Sequence, residues 1–250
     1  MTEPISSGKQ LYNLLKQAWD KDEDQPAKNV WAKVLGADDV DDIYNKLSYL
    51  FALFNDVRND IIRIDINRKK KYLNALNKIQ CVLMSSDLLM SESSWSYFTS
   101  KSGIGEETLD LIDACGDLIT SQTEGFNEIS SEELEALQKQ IINLQDEIRN
   151  SDIEKETKIF LINELRKIED AIRNYQIRGS SGLSKVSKEV TGGIAFNWSQ
   201  MPQKAQEKGK QIVDIALKVN GMISLSERLA KLPEGVKDIL PLLLPGGNGK

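Results

Sequence analysis

The stretch "VDDIYNKLSYLFALFNDVRNDIIRI", residues 40–64, carries the strongest helical pattern of the chain. Its apolar residues recur in alternating steps of three and four, as in the stripe of a coiled coil. The stripe consists of Val40, Ile43, Leu47, Leu50, Phe54, Val57, Ile61 and Ile64. Asp38 and Asp39 stand directly before it, where acidic side chains cap a helix and meet the positive end of its dipole. We therefore predict a long helix that buries one face.

Shorter helical patterns surround this stretch within residues 1–125. Ser7 and Gln10 form a capping-box pattern in front of a first amphipathic segment, and Gly36 marks the end of a second one. Further apolar stripes follow on both sides of a polar stretch at residues 85–105, in which we expect a loop with one short helix. Together these patterns predict an N-terminal helical bundle over residues 1–125.

Residues 126–177 have the pattern of an antiparallel, coiled-coil-like αα-hairpin. Ser130 with Glu133 and Ser151 with Glu154 both have capping-box spacing, and only "NSD" separates the two arms. Two striped helices joined by so short a turn are expected to pack against each other. The stripes are Leu134, Leu137, Ile141, Leu144 and Ile148 in the first arm, and Ile159, Leu161, Ile162, Leu165, Ile168, Ile172 and Tyr175 in the second.

Residues 178–250 begin with a glycine-containing joint. Because no strand pattern precedes these glycines and no Gly-Lys-Ser/Thr follows them, they match neither a P-loop nor a dinucleotide fingerprint. We predict hinge positions at Gly179, where the hairpin arm ends, at Gly182, where the chain turns, and at Gly192 and Gly193. An anion site formed by the backbone N–H groups of "GSSGLSK" stays open as an alternative.

The rest of the C-terminal third is predicted to form amphipathic helices and a mobile tail. One helix has the stripe Ile212, Ile215, Ala216, Val219 and Ile223, and "VKDILPLLLPGGNGK" reads as a short apolar helix followed by the tail. The candidate interface residues are Phe196, Trp198, Ile239, Leu240 and Leu243. No alternating strand pattern occurs anywhere in the sequence, so the predicted class is all-α.

The chain contains no histidine, which removes several kinds of catalytic site. Ser-His and Cys-His nucleophile pairs, imidazole bases and His-containing zinc sites are all excluded. Asp56 and Asp60 share a helix face and would suit Mg²⁺ or Mn²⁺, but Arg58 and Arg63 lie among them, which favours an ion-paired surface. We predict no catalytic residue, metal or cofactor, and keep a metal-dependent phosphohydrolase as an alternative.

Charge and cysteine content limit the kinds of partner and the cellular compartment that we expect. The net charge of −6 disfavours general nucleic-acid binding, although residues 178–250 hold 11 basic and 6 acidic residues. Cys81 and Cys115 lie among apolar residues, and we expect two buried free thiols in a reduced cytoplasm. No signal peptide is visible, and no apolar run reaches the ~18 residues of a membrane span.

These observations predict a non-catalytic protein of a bacterial or phage cytoplasm that acts by protein–protein interaction or as a regulator. It would bind another protein, or itself, through helix faces, because long apolar stripes occur without a catalytic constellation. The alternative is a membrane-active effector in microbial conflict or phage defence, in which the apolar C-terminal segment makes peripheral membrane contact.

Overall fold

The computed structural model of the protein describes residues 5–21, 24–64, 69–85, 93–122 and 128–223. Within these ranges the chain forms ten α-helices and no β-strand, so the predicted all-α class is confirmed. The first six helices are α1 (Ser7–Trp19), α2 (Ala27–Leu35), α3 (Val40–Arg63), α4 (Lys69–Leu83), α5 (Trp95–Ser102) and α6 (Glu106–Gln122). The others are α7 (Ser131–Asn150), α8 (Lys155–Arg173), α9 (Tyr175–Asn197) and α10 (Gln203–Ile223), with a short 3-10 helix, Trp198–Gln200, before α10.

Helix α3 buries the predicted stripe from Ile43 to Ile61. Leu50, Phe54, Val57 and Ile61 are completely inaccessible to solvent. The side-chain oxygen of Asp39 accepts a hydrogen bond from the backbone N–H of Asp42 at 2.8 Å, as expected of the N-cap. The alternating apolar spacing therefore marks the buried face of this helix.

Two further predicted helix boundaries are confirmed. Helix α2 ends at Gly36, whose φ of 62° lies in the left-handed region that glycine adopts without strain. Helix α7 begins with a complete capping box, in which Ser130 and Glu133 each bond the backbone N–H of the other.

The predicted cap of α1 is wrong by one residue. Ser6, not Ser7, is the N-cap, and its oxygen accepts a hydrogen bond from the backbone N–H of Lys9. Ser7 instead donates its hydroxyl proton to the carboxylate of Asp60 on α3, at 2.6 Å. A contact between helices thus decides which of two adjacent serines caps the helix.

The predicted second capping box of the hairpin is also wrong. The N-cap of α8 is Glu154, which makes no side-chain capping bond, and Ser151 closes the preceding helix instead. The Ser151 hydroxyl donates to the carbonyl oxygen of Ile148 at 2.7 Å, so it is engaged at the end of α7. The coiled-coil-like character of the hairpin stays a prediction.

The chain divides into two compact units. Unit 1 comprises α1 to α6 together with the later segment Gln176–Gly179, and unit 2 comprises α7, α8, the remainder of α9 and α10. The three segments predicted from the sequence, with boundaries at 125/126 and 177/178, stay a prediction.

In unit 1, α1 and α6 cross at two glycines. A Cβ atom added to Gly8 would lie 2.8 Å from the Cα atom of Gly116, and one added to Gly116 would lie 2.9 Å from the backbone nitrogen of Lys9. The Ser6 hydroxyl donates to the carbonyl oxygen of Gly116 at 3.0 Å across the same crossing. The backbones meet so closely that neither position has room for a side chain.

The two cysteines of unit 1 have different surroundings. Cys115 on α6 is buried, and its pKa is raised to about 12 by desolvation and by the nearby carboxylate of Asp60. Cys81 on α4 is exposed, so the expectation of two buried thiols is wrong for this residue. It lies on the outer side of the α4 helix, whose buried face comprises Tyr72, Ala75, Leu76, Ile79, Val82 and Leu83.

Helices that follow one another in unit 2 run antiparallel. Tyr175, the first residue of α9 just after α8 ends, accepts the backbone N–H of Ile129, just before α7 begins, on its hydroxyl oxygen at 2.8 Å. Gly193 near the end of α9 lies against Glu164 in α8, and Ser184 near its start donates to Asn220 near the end of α10. These pairings fix the direction of each helix against its neighbour.

The glycine-containing segment of α9 is mostly a helix. Only Gly179 has non-helical backbone angles, whereas Gly182, Gly192 and Gly193 lie in the continuous helical arm that follows it. The turn predicted at Gly182 is therefore wrong, as is the prediction that Gly179 ends the hairpin arm, since α8 ends at Arg173 with Asn174 as its C-cap. Hinge motion at these glycines stays a prediction.

Candidate interaction surface

The most exposed large apolar side chain among those that the structure describes is Phe196, near the end of α9. It is 81% exposed, and Ile159 near the start of α8 is 50% exposed. We call Ile159, Phe160, Gly192 and Phe196 the Phe196 surface. A phenylalanine in this position leaves a large apolar area in water, and with the neighbouring exposed Ile159 it gives this part of unit 2 an apolar surface.

The register of α8 against α9 brings these residues to one end of the helix pair. Lys167 bonds Glu164 on its own helix and Glu189 on α9, both at 3.0 Å, and Gly193 packs against Glu164. Because the helices run antiparallel, Phe196 lies about one turn beyond this contact, level with residues 160–161 of α8. Phe160 shares the side of α8 that carries Glu164 and Lys167, and Ile159 is exposed about 100° around the helix from it.

The ion pairs next to the Phe196 surface hold the two helices in this register. Partial burial lowers the pKa of Lys167, but its hydrogen bonds to Glu164 and Glu189 outweigh that effect and raise the pKa overall. Glu164 is buried, and its second oxygen, Oε2, has no hydrogen-bond partner among the described residues. Gly193 packs tightly at this point, since a Cβ atom there would lie 3.1 Å from that oxygen and the carboxylate would have to shift to admit it.

Gly192 gives the surface its shape. A Cβ atom added at this residue would meet no atom within 4 Å, so bare helix backbone is exposed there one turn before Phe196. The surface therefore combines a projecting ring with a low, open stretch of backbone. A partner helix can approach such a surface closely.

Trp198, the other described residue of the predicted interface, has a structural role. Its ring packs towards α10, where its Cζ3 atom lies 3.5 Å from a Cβ atom placed on Gly209. The side-chain amide of Gln206 donates to the carbonyl oxygen of Trp198 at 3.0 Å. Trp198 is partly buried and closes the turn between α9 and α10. Ile239, Leu240 and Leu243 lie outside the described residues.

The sequence did not predict that Ile159 is exposed, because Ile159 follows the apolar spacing of the second hairpin arm. Its position is offset from the buried residues Leu161, Leu165 and Ile168, which form the true inner face of α8. A helical projection of the arm would have separated Ile159 from them.

The carboxylates considered as a metal site make a different contact. Asp60 accepts the Ser7 hydroxyl, and burial raises the pKa of Asp60, with a further contribution from the neighbouring Asp56. Among the described residues no group of three or more Cys, Asp or Glu side chains is arranged to hold a metal ion. Asp60 therefore serves the packing of α1 on α3.

No family model, curated protein or solved structure matches the chain. Of the helices described, none combines the length and apolar character needed to cross a membrane.

Proposed function

We propose that the protein is a non-catalytic interaction or regulatory protein that binds another protein through the Phe196 surface. The observation that carries the proposal is the 81% exposure of Phe196 beside bare backbone at Gly192. Aromatic side chains that become buried on association contribute a large share of binding energy at interfaces. The Lys-, Asn- and Ile-rich composition leads us to infer a bacterial or phage cytoplasm as its setting.

The local geometry supports a protein partner. The surface is small and projecting, and its flanks carry charges of both signs, Lys167 and Glu189 among them. Interfaces between proteins commonly have such an apolar centre and polar rim. An exposed helix face with a glycine at its base also suits close helix–helix packing, as in self-association of this chain.

The test compares Phe196→Asp with Ile142→Asp. Ile142 on α7 is 43% exposed and lies outside the Phe196 surface, so it is a matched control for adding a charge to an exposed apolar position. We expect Phe196→Asp to weaken partner binding or self-association by about tenfold or more, and Ile142→Asp to leave it unchanged. Affinity capture from the native host and light scattering after size exclusion provide the two readouts.

Equal binding by wild type and Phe196→Asp, with both folded by circular dichroism, would contradict the proposal. The membrane-active alternative gives a different outcome. In that case the wild-type chain would sediment with anionic vesicles of phosphatidylglycerol and cause leakage, whether or not a protein partner is present.

A further inference from the structure

Four residues that follow α8 in the chain belong to unit 1. We call this segment, Gln176–Gly179, the clip. Ile177 is only 1% exposed and forms part of the apolar core of unit 1, together with residues of α1, α2 and α3. The clip is therefore held by a buried aliphatic anchor, although it is separated from the rest of unit 1 by about 50 residues of chain.

Polar contacts flank this anchor on both sides. The side-chain amide of Gln176 donates to the carbonyl oxygen of Val34 at 3.0 Å, and the side-chain amide of Gln10 donates to the carbonyl oxygen of Gln176. The guanidinium group of Arg178 lies over the ring of Tyr49, 5.2 Å from its centre. Unit 1 thus contacts each side chain of a Gln-Ile-Arg sequence in a distinct way.

The backbone breaks at both ends of the clip. Asn174 ends α8 with a φ of −103° and a ψ of 21°, and Gly179 has a φ of 59° and a ψ of −170°. The second pair of angles lies in a region that is essentially restricted to glycine, and such conformations concentrate at switches and ligand-binding segments. The clip is a short local element between two breaks in the helical backbone.

We propose that unit 1 carries a peptide-binding site for a short Gln–aliphatic–Arg segment, which the clip of the same chain fills reversibly. The site consists of the side chains of Gln10 and Tyr49, the carbonyl oxygen of Val34 and the apolar core beneath Ile177. Because the clip is covalently attached, its effective concentration at the site is high, on the order of millimolar. A free peptide can compete only when the clip is weakened.

The experiment uses the full chain and a fluorescein-labelled peptide of residues 171–182, "AIRNYQIRGSSG". Fluorescence anisotropy is measured with the wild-type chain and with Ile177→Asp, whose clip loses its apolar anchor. We expect the variant to bind the peptide at least about tenfold more tightly than wild type. A peptide with Asp in place of the central Ile should not bind. If Ile177→Asp is folded and binds the peptide no better than wild type, the proposal is overturned.

If Ile177→Asp does not fold, hydrogen exchange of the wild-type chain tests whether the clip opens locally. We expect the backbone amides of the clip to exchange at least about tenfold faster than those of the 183–194 stretch of α9, with little dependence on denaturant. Exchange of the clip at the same rate and with the same denaturant dependence as that stretch would overturn the proposal, because the clip would then open only on global unfolding.

Discussion

Two helices of unit 1 meet glycine to glycine, whereas in unit 2 a helix glycine lies against a carboxylate. Gly8 and Gly116 bring the backbones of α1 and α6 together, where the Ser6 hydroxyl donates to Gly116 and Lys9 pairs with two carboxylates of α6. In unit 2, Gly193 lies against the buried side chain of Glu164, which is paired with Lys167. In the first contact backbone meets backbone, and in the second a buried carboxylate meets the helix backbone.

The difference extends to the interiors of the two units. The buried apolar cluster of unit 1 contains aromatic side chains such as Trp31 and Phe54, both fully buried. The inner side of α9 in unit 2 instead buries hydroxyls, and Ser187 and Thr191 satisfy them by donating to carbonyl oxygens one turn earlier. The inner side of α9 thus combines fully buried apolar side chains, such as Val190 and Ile194, with hydroxyls that are satisfied within the helix.

The largest effect is expected from Gly116→Ala in unit 1. Its new methyl group would meet the backbone of Lys9, which cannot move aside as a flexible side chain can. We expect the free energy of unfolding to fall by about 2–3 kcal/mol, even though alanine favours a helix. The neighbouring Cys115, buried and with its pKa raised to about 12, should then react with a thiol reagent much faster than in wild type.

Gly221→Ala on α10 is the control for this substitution. A Cβ atom there meets nothing within 4 Å, so the change should be neutral or stabilise the protein by up to about 1 kcal/mol. If Gly116→Ala behaves like Gly221→Ala in thermal unfolding and in Cys115 labelling, the close crossing in unit 1 is not required.

In unit 2, Gly193→Ala and Gly192→Ala form a matched pair on adjacent helical positions. Alanine at 193 meets the Glu164 carboxylate, and we expect it to lower the free energy of unfolding by about 1 kcal/mol. Alanine at 192 meets no atom and should raise the free energy of unfolding by about 0.5 kcal/mol. Hydrogen exchange of α9 measures both effects. In a Glu164→Ala background the loss from Gly193→Ala should shrink, and an unchanged loss would show that the carboxylate is not its cause.

A smaller effect concerns the pH dependence of unit 1. Burial raises the pKa of Asp60, so the folded state holds this proton more tightly than the unfolded state does. The contribution of Asp60 to stability is therefore greatest at low pH and is lost as the pH rises through the raised pKa. In Asp60→Asn the free energy of unfolding should fall less between pH 3 and pH 7 than it does in wild type. We expect the difference to be within about 1 kcal/mol, as measured by denaturant unfolding. If the free energy of unfolding falls equally in wild type and in Asp60→Asn, the pH dependence arises from other groups.

Apolar periodicity was sufficient to predict the helical class and most buried faces. In α10, and in α3 from Ile43 to Ile61, the stripe residues that recur at helical spacing are buried, because such a helix is stabilised by burial of one face. Caps were less predictable, since Ser6 and Ser7 are adjacent and have the same intrinsic preference. Their roles are separated by Asp60, which is distant in the sequence.

The glycines of α9 show a second limit. In sequence, Gly179, Gly182, Gly192 and Gly193 look alike, yet only Gly179 has a backbone conformation that glycine alone adopts. Gly193 lies in tight contact with the Glu164 carboxylate, and Gly192 has open space around it. Such distinctions depend on neighbouring helices. Phe196 was predicted from the sequence as a candidate interface residue. Its exposure, however, follows from the register of α9 on α8.

The most direct test of the Phe196 surface is site-specific photo-cross-linking in the native host. A benzophenone side chain placed at residue 196 replaces one aromatic ring by another, and the same group at residue 142 serves as the control. We predict a discrete protein cross-link from position 196, to a partner or to a second copy, and none from position 142. Identical cross-link patterns from the two positions, or none from either, would contradict the assignment of the Phe196 surface as the site of interaction.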